Sequence, residues 1–357
     1  MKPPAEKIPA LVRVEPNQWP NLLDDLDPGS LFLALEQSRV YLRRLPPDRV
    51  FHLGADSYTA RHLLASLTAF EKLYGELGPG DRLTQALSRD FVLYKNTGRD
   101  GQGEMLCTGY YEPVLQGSLT PDDQYKYPLY GRPLDLISVN LRNFSNDFPA
   151  ETIKGRVQGH RLIPYYTRHD IDRRGALTGQ GLELAYVDDP IALFFLQIQG
   201  SGQIRLPDGK IIQLGYAESN GRPYRSLGRL MIDQGLIRQE DASLQAIRDW
   251  LQNRPDQAQD LMDHNQSYIF FRRLEHGPVG SLNVLLTPHR SVALDHRIFP
   301  KATLAWLKFR APLVSGKQVK DWREVSRFVL VQDTGGAIRG RGRLDLFFGS
   351  APEAETA

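Results

Sequence analysis

Phe328-Val329-Leu330-Val331-Gln332-Asp333-Thr334-Gly335-Gly336-Ala337-Ile338-Arg339-Gly340, followed by Leu344-Asp345-Leu346-Phe347-Phe348-Gly349, is the stretch from which the fold and the chemistry are read. An apolar run enters a carboxylate, two glycines follow, and a second carboxylate stands twelve positions after the first. Acidic residues are disfavoured inside strands, and glycines beside them let another backbone approach closely. Asp333 and Asp345 therefore read in two ways. They are a pair whose burial and mutual repulsion keep one carboxyl protonated as a general acid, the chemistry of glycosidic bond cleavage. Alternatively, Asp333 caps the turn into Thr334-Gly335 and Asp345 pairs with Arg343 or Arg341. Spacing alone leaves both open.

Outward from this stretch, strand signals dominate from Tyr268 onward: Tyr268–Phe271, Val279–Leu286, Ser291–Leu294, Ala302–Phe309, Arg327–Gln332 and Leu344–Phe348. Short strands with few helices between them predict a small closed barrel, since closure removes exposed edges. Upstream, helices are predicted at Tyr224–Asp233, at Asp241–Gln252, and onward to Asp263 with Pro255 in the first turn. Pro207-Asp208-Gly209 between two strand-like arms predicts a hairpin. Ile191–Gln199 is a compact apolar run, read as a strand ending in Gly200-Ser201-Gly202. Residues 116–180 are rich in turn formers, and Cys107–Val114 reads as one strand. Near the start, residues 1–28 form a Pro-rich arm. Helices are predicted at Leu31–Leu45 behind Ser30 as N-cap, and at Ser57–Tyr74, where Leu63, Leu64, Leu67, Phe70 and Tyr74 keep helical spacing.

The 357 residues suggest two domains. With 41% hydrophobic and 24% charged residues the chain is that of a folded protein. A net charge of +2 argues against a general nucleic-acid binder. Arg339, Arg341 and Arg343 alternate with Gly340 and Gly342; this cluster is either a solvated loop or a holder of an anionic ligand. Cys107 is the sole cysteine, which rules out an intrachain disulfide and a cysteine-based metal site. The eight histidines show no close pair at metal-ligand spacing, so no metal or cofactor is expected. No apolar run is long enough for a transmembrane helix. MKPPAEKIPALVRVEP lacks the apolar core of a signal peptide, which leaves open a cytoplasmic protein or one exported by a segment absent from this sequence.

Three further segments carry recognition chemistry. Gln197, Gln199 and Ser201 in FFLQIQGSG would bring amide and hydroxyl groups to a pocket mouth, or simply end a strand. Thr108-Gly109-Tyr110-Tyr111-Glu112-Pro113 and Pro164-Tyr165-Tyr166-Thr167-Arg168 offer flat aromatic faces that suit sugar rings and equally suit a core, with Glu112 as a possible second carboxylate partner. Asn220-Gly221 marks a turn before a helix, with functional and structural readings equally open.

These segments together resemble the MltA family, the membrane-bound lytic murein transglycosylase A group. The matching pieces, in the family's order, are TGYYEPV at 108–114, PYYTR at 164–168, FFLQIQGSG at 194–202, GYAESNGRPYRSLGR at 215–229, NQSYIFF at 265–271, SVALDHRIFP at 291–300 and QDTGGAIRG with LDLFFG at 332–349. The resemblance implies a mainly β fold with flanking helices. A double-psi β-barrel domain is expected from 1–113 with 239–357, a second β-rich domain inserted at 114–238, and the glycan in a groove between them. It implies cleavage of the β-1,4 bond between N-acetylmuramic acid and N-acetylglucosamine in peptidoglycan, with a 1,6-anhydro product formed by the muramyl residue's own 6-hydroxyl. Asp345 is then the single acid/base and Asp333 its supporting partner. Thr108 and Gln199 align with family positions that contact the glycan, and Ser201, Tyr110 and Asn220 are expected with them as substrate-binding residues. The implied partner is the peptidoglycan strand, with no nucleic acid. A monomer in the periplasm or cell envelope, at the outer membrane, is expected. Two other readings of the same barrel are a water-using glycoside hydrolase and a non-catalytic glycan-binding protein. The chain departs from the family pattern in ending twelve residues after Asp345, and in showing no export signal or lipid-anchoring cysteine; Cys107 lies within a predicted strand.

Overall fold

The computed structural model describes residues 9–315, 318–336 and 338–350. The first eight residues of the expected Pro-rich arm, Ala337 of the Asp333 segment, and the tail from Ala351 lie outside the described residues. The chain divides into two compact units, Met1–Tyr111 with Val279–Ala357, and Glu112–Pro278. The second crossing thus falls at Pro278, well beyond the expected boundary at residue 238.

The first unit begins with a strand at Leu11–Val14, paired with Leu93–Asn96, where an arm was expected, and carries helices α1 (Pro28–Arg43), α2 (Ala60–Leu77) and α3 (Asp81–Asp90). The N-cap of α1 is Asp27 and not Ser30: its carboxylate accepts from Ser30 N at 2.9 Å, and Pro28 occupies the first turn with a φ already suited to a helix. Helix α3 was not anticipated, although Leu83, Ala86 and Leu87 give it a buried stripe. Strand β1 (Leu106–Tyr110) follows, and the chain leaves the unit after Tyr111. The segment read as one strand, Cys107–Val114, is therefore two strands in different units, separated at Tyr111-Glu112-Pro113.

The second unit contains β2 (Val114–Ser118), β3 (Tyr127–Tyr130), β4 (Glu183–Val187), helix α4 (Pro190–Gln199), β5 (Ser201–Arg205), β6 (Ile211–Ser219), helices α5 (Leu227–Asp233), α6 (Leu244–Gln252) and α7 (Pro255–Asp263), and β7 (Ile269–Leu274). Six of its strands form one sheet in the order β7-β6-β5-β2-β4-β3, whose two edges are joined by a bridge between Gly131 and Phe271, and Ile137–Asn140, Thr152–Gln158 and Arg161–Pro164 form a separate three-stranded sheet. Leu193 and Leu196 of α4 enter the core of this sheet with Leu115, Leu129, Ile204, Leu214 and Phe271. The α4 segment was expected as a strand. Short buried apolar runs carry no period that separates helix from strand; the decisive signals lie at its ends. Asp189 accepts from the N–H groups of Ile191 and Ala192, Pro190 sits in the first turn, and Gly200 closes the helix at φ 80°. The other face of α4 presents Ile191, Phe194 and Phe195 to α5–α7, while β7 pairs with β6. That packing keeps residues 239–278 in this unit. The hairpin at Pro207-Asp208-Gly209 forms as expected between β5 and β6, with Gly209 at φ 83°.

Back in the first unit, β8 (Ser291–Ala293), β9 (Leu304–Ser315), β10 (Gln318–Asp333) and β11 (Arg343–Phe347) join β1 in a mixed sheet ordered β9-β10-β8-β11-β1. The pairs β8/β10 and β11/β1 are parallel. Of the six expected strands, Tyr268–Phe271 belongs to the second unit. Val279–Leu286 reduces to a bridge between Val279 and Leu285. Phe328 and Leu330 of β10 pack with Leu31, Leu35, Phe70 and Tyr74 of the helices, while Val329 and Val331 pack with Val292, Leu294, Leu344 and Leu346. A strand buried on both faces needs an unbroken apolar run, which is why the quoted stretch reads as one.

Arg290 fastens this arrangement. Its side chain has no exposed surface, and its guanidinium donates to Asp24 Oδ2 at 2.7 Å, Phe328 O at 2.9 Å, Ser30 Oγ at 3.0 Å and Asp27 O at 3.0 Å. Breaking a buried pair from one side leaves an uncompensated charge. Asp24→Ala is expected to lower the unfolding free energy by about 3–5 kcal/mol, read as a fall in the urea midpoint.

Candidate active site

Asp345 and Asp333 are brought into one sheet by register. Ala293 of β8 pairs with Asp345 on one side and Asp333 on the other. Two inter-strand spacings put their α-carbons about 10 Å apart. Along β11, Leu344 and Leu346 face the core, so Asp345 and Arg343 project from the opposite face. Thr108 of β1 lies directly beside Asp345, and Tyr110 beside Phe347.

The two carboxyls are held differently. Asp333 Oδ1 accepts from the backbone N–H of Ser281 at 2.9 Å and of Thr334 at 2.8 Å, and its Oδ2 accepts from the Tyr110 hydroxyl at 2.9 Å. Ser281 reaches it because Gly280 lies against the strand end: a Cβ there would meet Gln332 O at 2.8 Å and Leu286 Cδ2 at 2.6 Å. This loop donor was missed in the sequence, where Gly280 before Ser281 was its only signal. Asp345 is held through Oδ1, which accepts from the Thr108 hydroxyl and faces Arg343 Nη2 at 3.5 Å; no described contact falls on Oδ2. Its side chain keeps 20% of its surface exposed. Burial pushes both carboxyls above the ordinary carboxylate range, against the lowering effect of Thr108 and Arg343 on Asp345 and of Ser281, Thr334 and Tyr110 on Asp333. Burial, aggravated by the nearby Asp333 charge, drives the Tyr110 phenol well above its usual value, so it remains a donor. Burial likewise pushes the Cys107 thiol up to about 12. It is a neutral core side chain and no nucleophile.

The arginine–glycine cluster is divided. Arg343 turns toward Thr108 and Asp345. Arg341 donates to Thr97 Oγ1 at 3.1 Å, and its carbonyl accepts from Asn96 Nδ2 at 2.8 Å. Arg339 is exposed. Gly340 N donates to the buried Asp295, which anchors the loop between the two carboxylates.

The remaining sequence candidates lie in the second unit. Gln199 is the half-buried last residue of α4, and Ser201 is the buried first residue of β5. Asn220 has no exposed surface: its amide donates to Tyr166 O and Gln266 O, and its Oδ1 accepts from Tyr268 N and Arg222 N. It ties three segments together instead of facing a ligand. The PYYTR segment is also structural. Tyr165 is fully buried with its hydroxyl on Asp135, and Arg168 donates to Asn265 O and Ser267 O between the rings of Phe194 and Tyr268. Glu112 accepts from Gln203 Nε2 at 2.8 Å within the second unit.

Residues 106–272 match the MltA specific insert domain and residues 290–357 the 3D domain. The chain is similar to the membrane-bound lytic murein transglycosylase A of Vibrio cholerae, 35% identical over 72% of this chain and 62% of that protein, so the match spans less than two thirds of the curated relative. The membrane-bound lytic murein transglycosylase of Agrobacterium tumefaciens has a similar structure, with a TM-score of 0.77 at 31% identity, covering 97% of this chain and 93% of that one. Escherichia coli MltA with bound chitohexaose aligns with a TM-score of 0.71 at 26% identity, over 98% and 89% of the two chains.

A carboxyl whose folded pKa is raised stabilises the fold fully below its unfolded value and loses that contribution as pH rises through the folded value. Asp345→Asn removes this loss while keeping an oxygen for Thr108. The variant is therefore expected to melt above wild type at neutral pH, with the difference vanishing below about pH 3.8; thermal melts across pH check this. Gly280→Ala is expected to destabilise by about 1–3 kcal/mol through overpacking, read by urea denaturation.

Proposed function

Because the chain belongs to the MltA family of lytic murein transglycosylases, we propose that it cleaves the β-1,4 bond between N-acetylmuramic acid and N-acetylglucosamine in peptidoglycan strands. Asp345 is the acid and then the base. Its Oδ2 proton passes to the leaving glycosidic oxygen as the bond to the muramyl anomeric carbon breaks. The muramyl 6-hydroxyl attacks that carbon, and its proton returns to Asp345. The product is a 1,6-anhydro end, no water is consumed, and the carboxyl is regenerated. One group serves both steps because the nucleophile is already attached to the substrate, where proximity contributes most.

The observation that carries this reading is the asymmetry of the two carboxyls. Asp333 is saturated by three donors, whereas Asp345 is gripped by one oxygen, partly exposed, and shifted by burial toward its protonated form. A general acid requires a proton held above the ordinary carboxylate range and an oxygen free to deliver it. Asp333 supports the site by fixing Tyr110 and the Ser281 loop. Thr108 and Gln199 are the glycan contacts we assign, with Ser201 beside Gln199. The binding of chitohexaose, a β-1,4 glycan, by the Escherichia coli relative supports a glycan substrate. Such a substrate puts the protein's proposed work in the cell envelope, on the periplasmic side.

Digestion of purified peptidoglycan followed by mass spectrometry tests the reaction: anhydro-muropeptides are expected, and reducing ends would instead identify a water-using hydrolase. Asp345→Asn is expected to lower release by at least about a hundred-fold, the contribution of a positioned general acid. Because the acid form is the active one, kcat/KM of the wild type is expected to fall as pH rises through the elevated Asp345 value. A rate that instead rises over that range would overturn the assignment.

A further inference from the structure

We propose that Arg343 is a positioning residue for proton transfer: through Thr108 it directs the hydroxyl that grips Asp345 Oδ1, and it supplies the cation that meets the charge left on Asp345 when the proton departs. The inference rests on the reading of Asp345 as the acid.

The argument begins with strand geometry. Arg343 and Asp345 are two residues apart on β11 and share a face, and Thr108 is the cross-strand neighbour of Asp345. Arg343 Nη2 donates to Thr108 Oγ1 at 3.2 Å, and Thr108 Oγ1 donates to Asp345 Oδ1. A guanidinium has donors only, whereas a hydroxyl donates once and accepts. With Arg343 as donor, the Thr108 oxygen accepts and its single proton points to Asp345. Arg343 Nη2 also lies 3.5 Å from Asp345 Oδ1, too long for a strong hydrogen bond but close for a charge contact. Both influences fall on Oδ1. The acidic proton is therefore held on Oδ2, where no described protein group competes with the glycosidic oxygen for it.

Arg343 is the nearest charge to Asp345; the other carboxyl of the site, Asp333, lies beyond β8, about 10 Å away between α-carbons. On β1 the titratable neighbours are Cys107 and Tyr110, both neutral because burial raises them. Ser291, Val292 and Ala293 of the adjoining β8 carry no titratable side chain. On β11 itself Arg343 is the charged neighbour. Its Nε is buried without a partner among the described residues. In Arg290, by contrast, each of the three guanidinium nitrogens donates to an oxygen. During the reaction Asp345 goes from neutral acid to carboxylate and back. A cation at fixed distance stabilises the charged state and makes the acid stronger, a preorganised electrostatic contribution.

Arg343→Gln, which still donates a hydrogen bond, and Arg343→Lys, which keeps the charge, separate the two effects. The readouts are anhydro-muropeptide release against pH and a direct carboxyl NMR titration of Asp345 in each folded variant. Without the cation, Arg343→Gln is expected to lose about ten- to a hundred-fold in kcat, its alkaline limb and the Asp345 titration both moving to higher pH. Arg343→Lys is expected to bring both back toward wild type. An Asp345 titration unchanged in Arg343→Gln, or a loss of rate that Arg343→Lys does not lessen, overturns the proposal. Should Arg343→Gln fail to fold, Arg343→Met, which removes charge and donor together, is expected to move the Asp345 titration to higher pH, and an unmoved titration overturns the proposal. Absence of anhydro product from the wild type would instead sink the assignment of the reaction, and the NMR titration would still decide whether Arg343 sets the Asp345 equilibrium.

Discussion

The first unit is assembled from the two ends of a chain interrupted by the whole of the second, and Arg290 is a fully buried interaction that joins them. Its guanidinium binds Asp24, Asp27 and Ser30 from the front of the chain and the Phe328 carbonyl from the back, with no solvent contact. A backbone hydrogen bond continues the seam, from Asp25 N to Ser326 O at 2.9 Å. With β10 pinned between the helices and the rest of the sheet, its C-terminal end can present Asp333 at a fixed place. A buried charge is tolerated here because every donor used finds an oxygen.

From that seam the site follows by strand order. The parallel pairing of β11 with β1 puts Thr108 beside Asp345, and β8 sits between Asp345 and Asp333. Each carboxyl is then set by its immediate donors. Asp333 is enclosed by Tyr110, Ser281 and Thr334, which orient it fully. Asp345 is held through one oxygen and keeps the other available. Two residues of the same type in one motif thus come to do different work, because environment decides what a carboxyl does. The arginine–glycine cluster shows the same division: one arginine reaches the acid, one braces the neighbouring loop, and one faces solvent.

The sequence made α1 and α2, the hairpin at Gly209 and the strands around both aspartates legible, since each depends on local period and turn residues. It misread α4, whose apolar run suits a strand as well as a buried helix; Asp189-Pro190 and Gly200 held the answer at its ends. It also took Asn220 for a ligand contact. An asparagine in a turn that clamps three backbone segments looks identical, in sequence, to one that greets a sugar, because its partners Tyr166, Gln266 and Tyr268 are remote along the chain.

By itself the sequence determined which residue types were present and in what order: a carboxylate after an apolar strand, a second beyond a glycine-rich loop, and seven segments in a family's arrangement. Only the tertiary structure decided that Thr108 and Arg343 converge on one oxygen of Asp345, that Gly280 brings Ser281 to Asp333, and that the unit boundary lies at Pro278. Those outcomes depend on which strands become neighbours. Pairing between segments more than two hundred residues apart is settled by burial of the shared core and not by any local pattern.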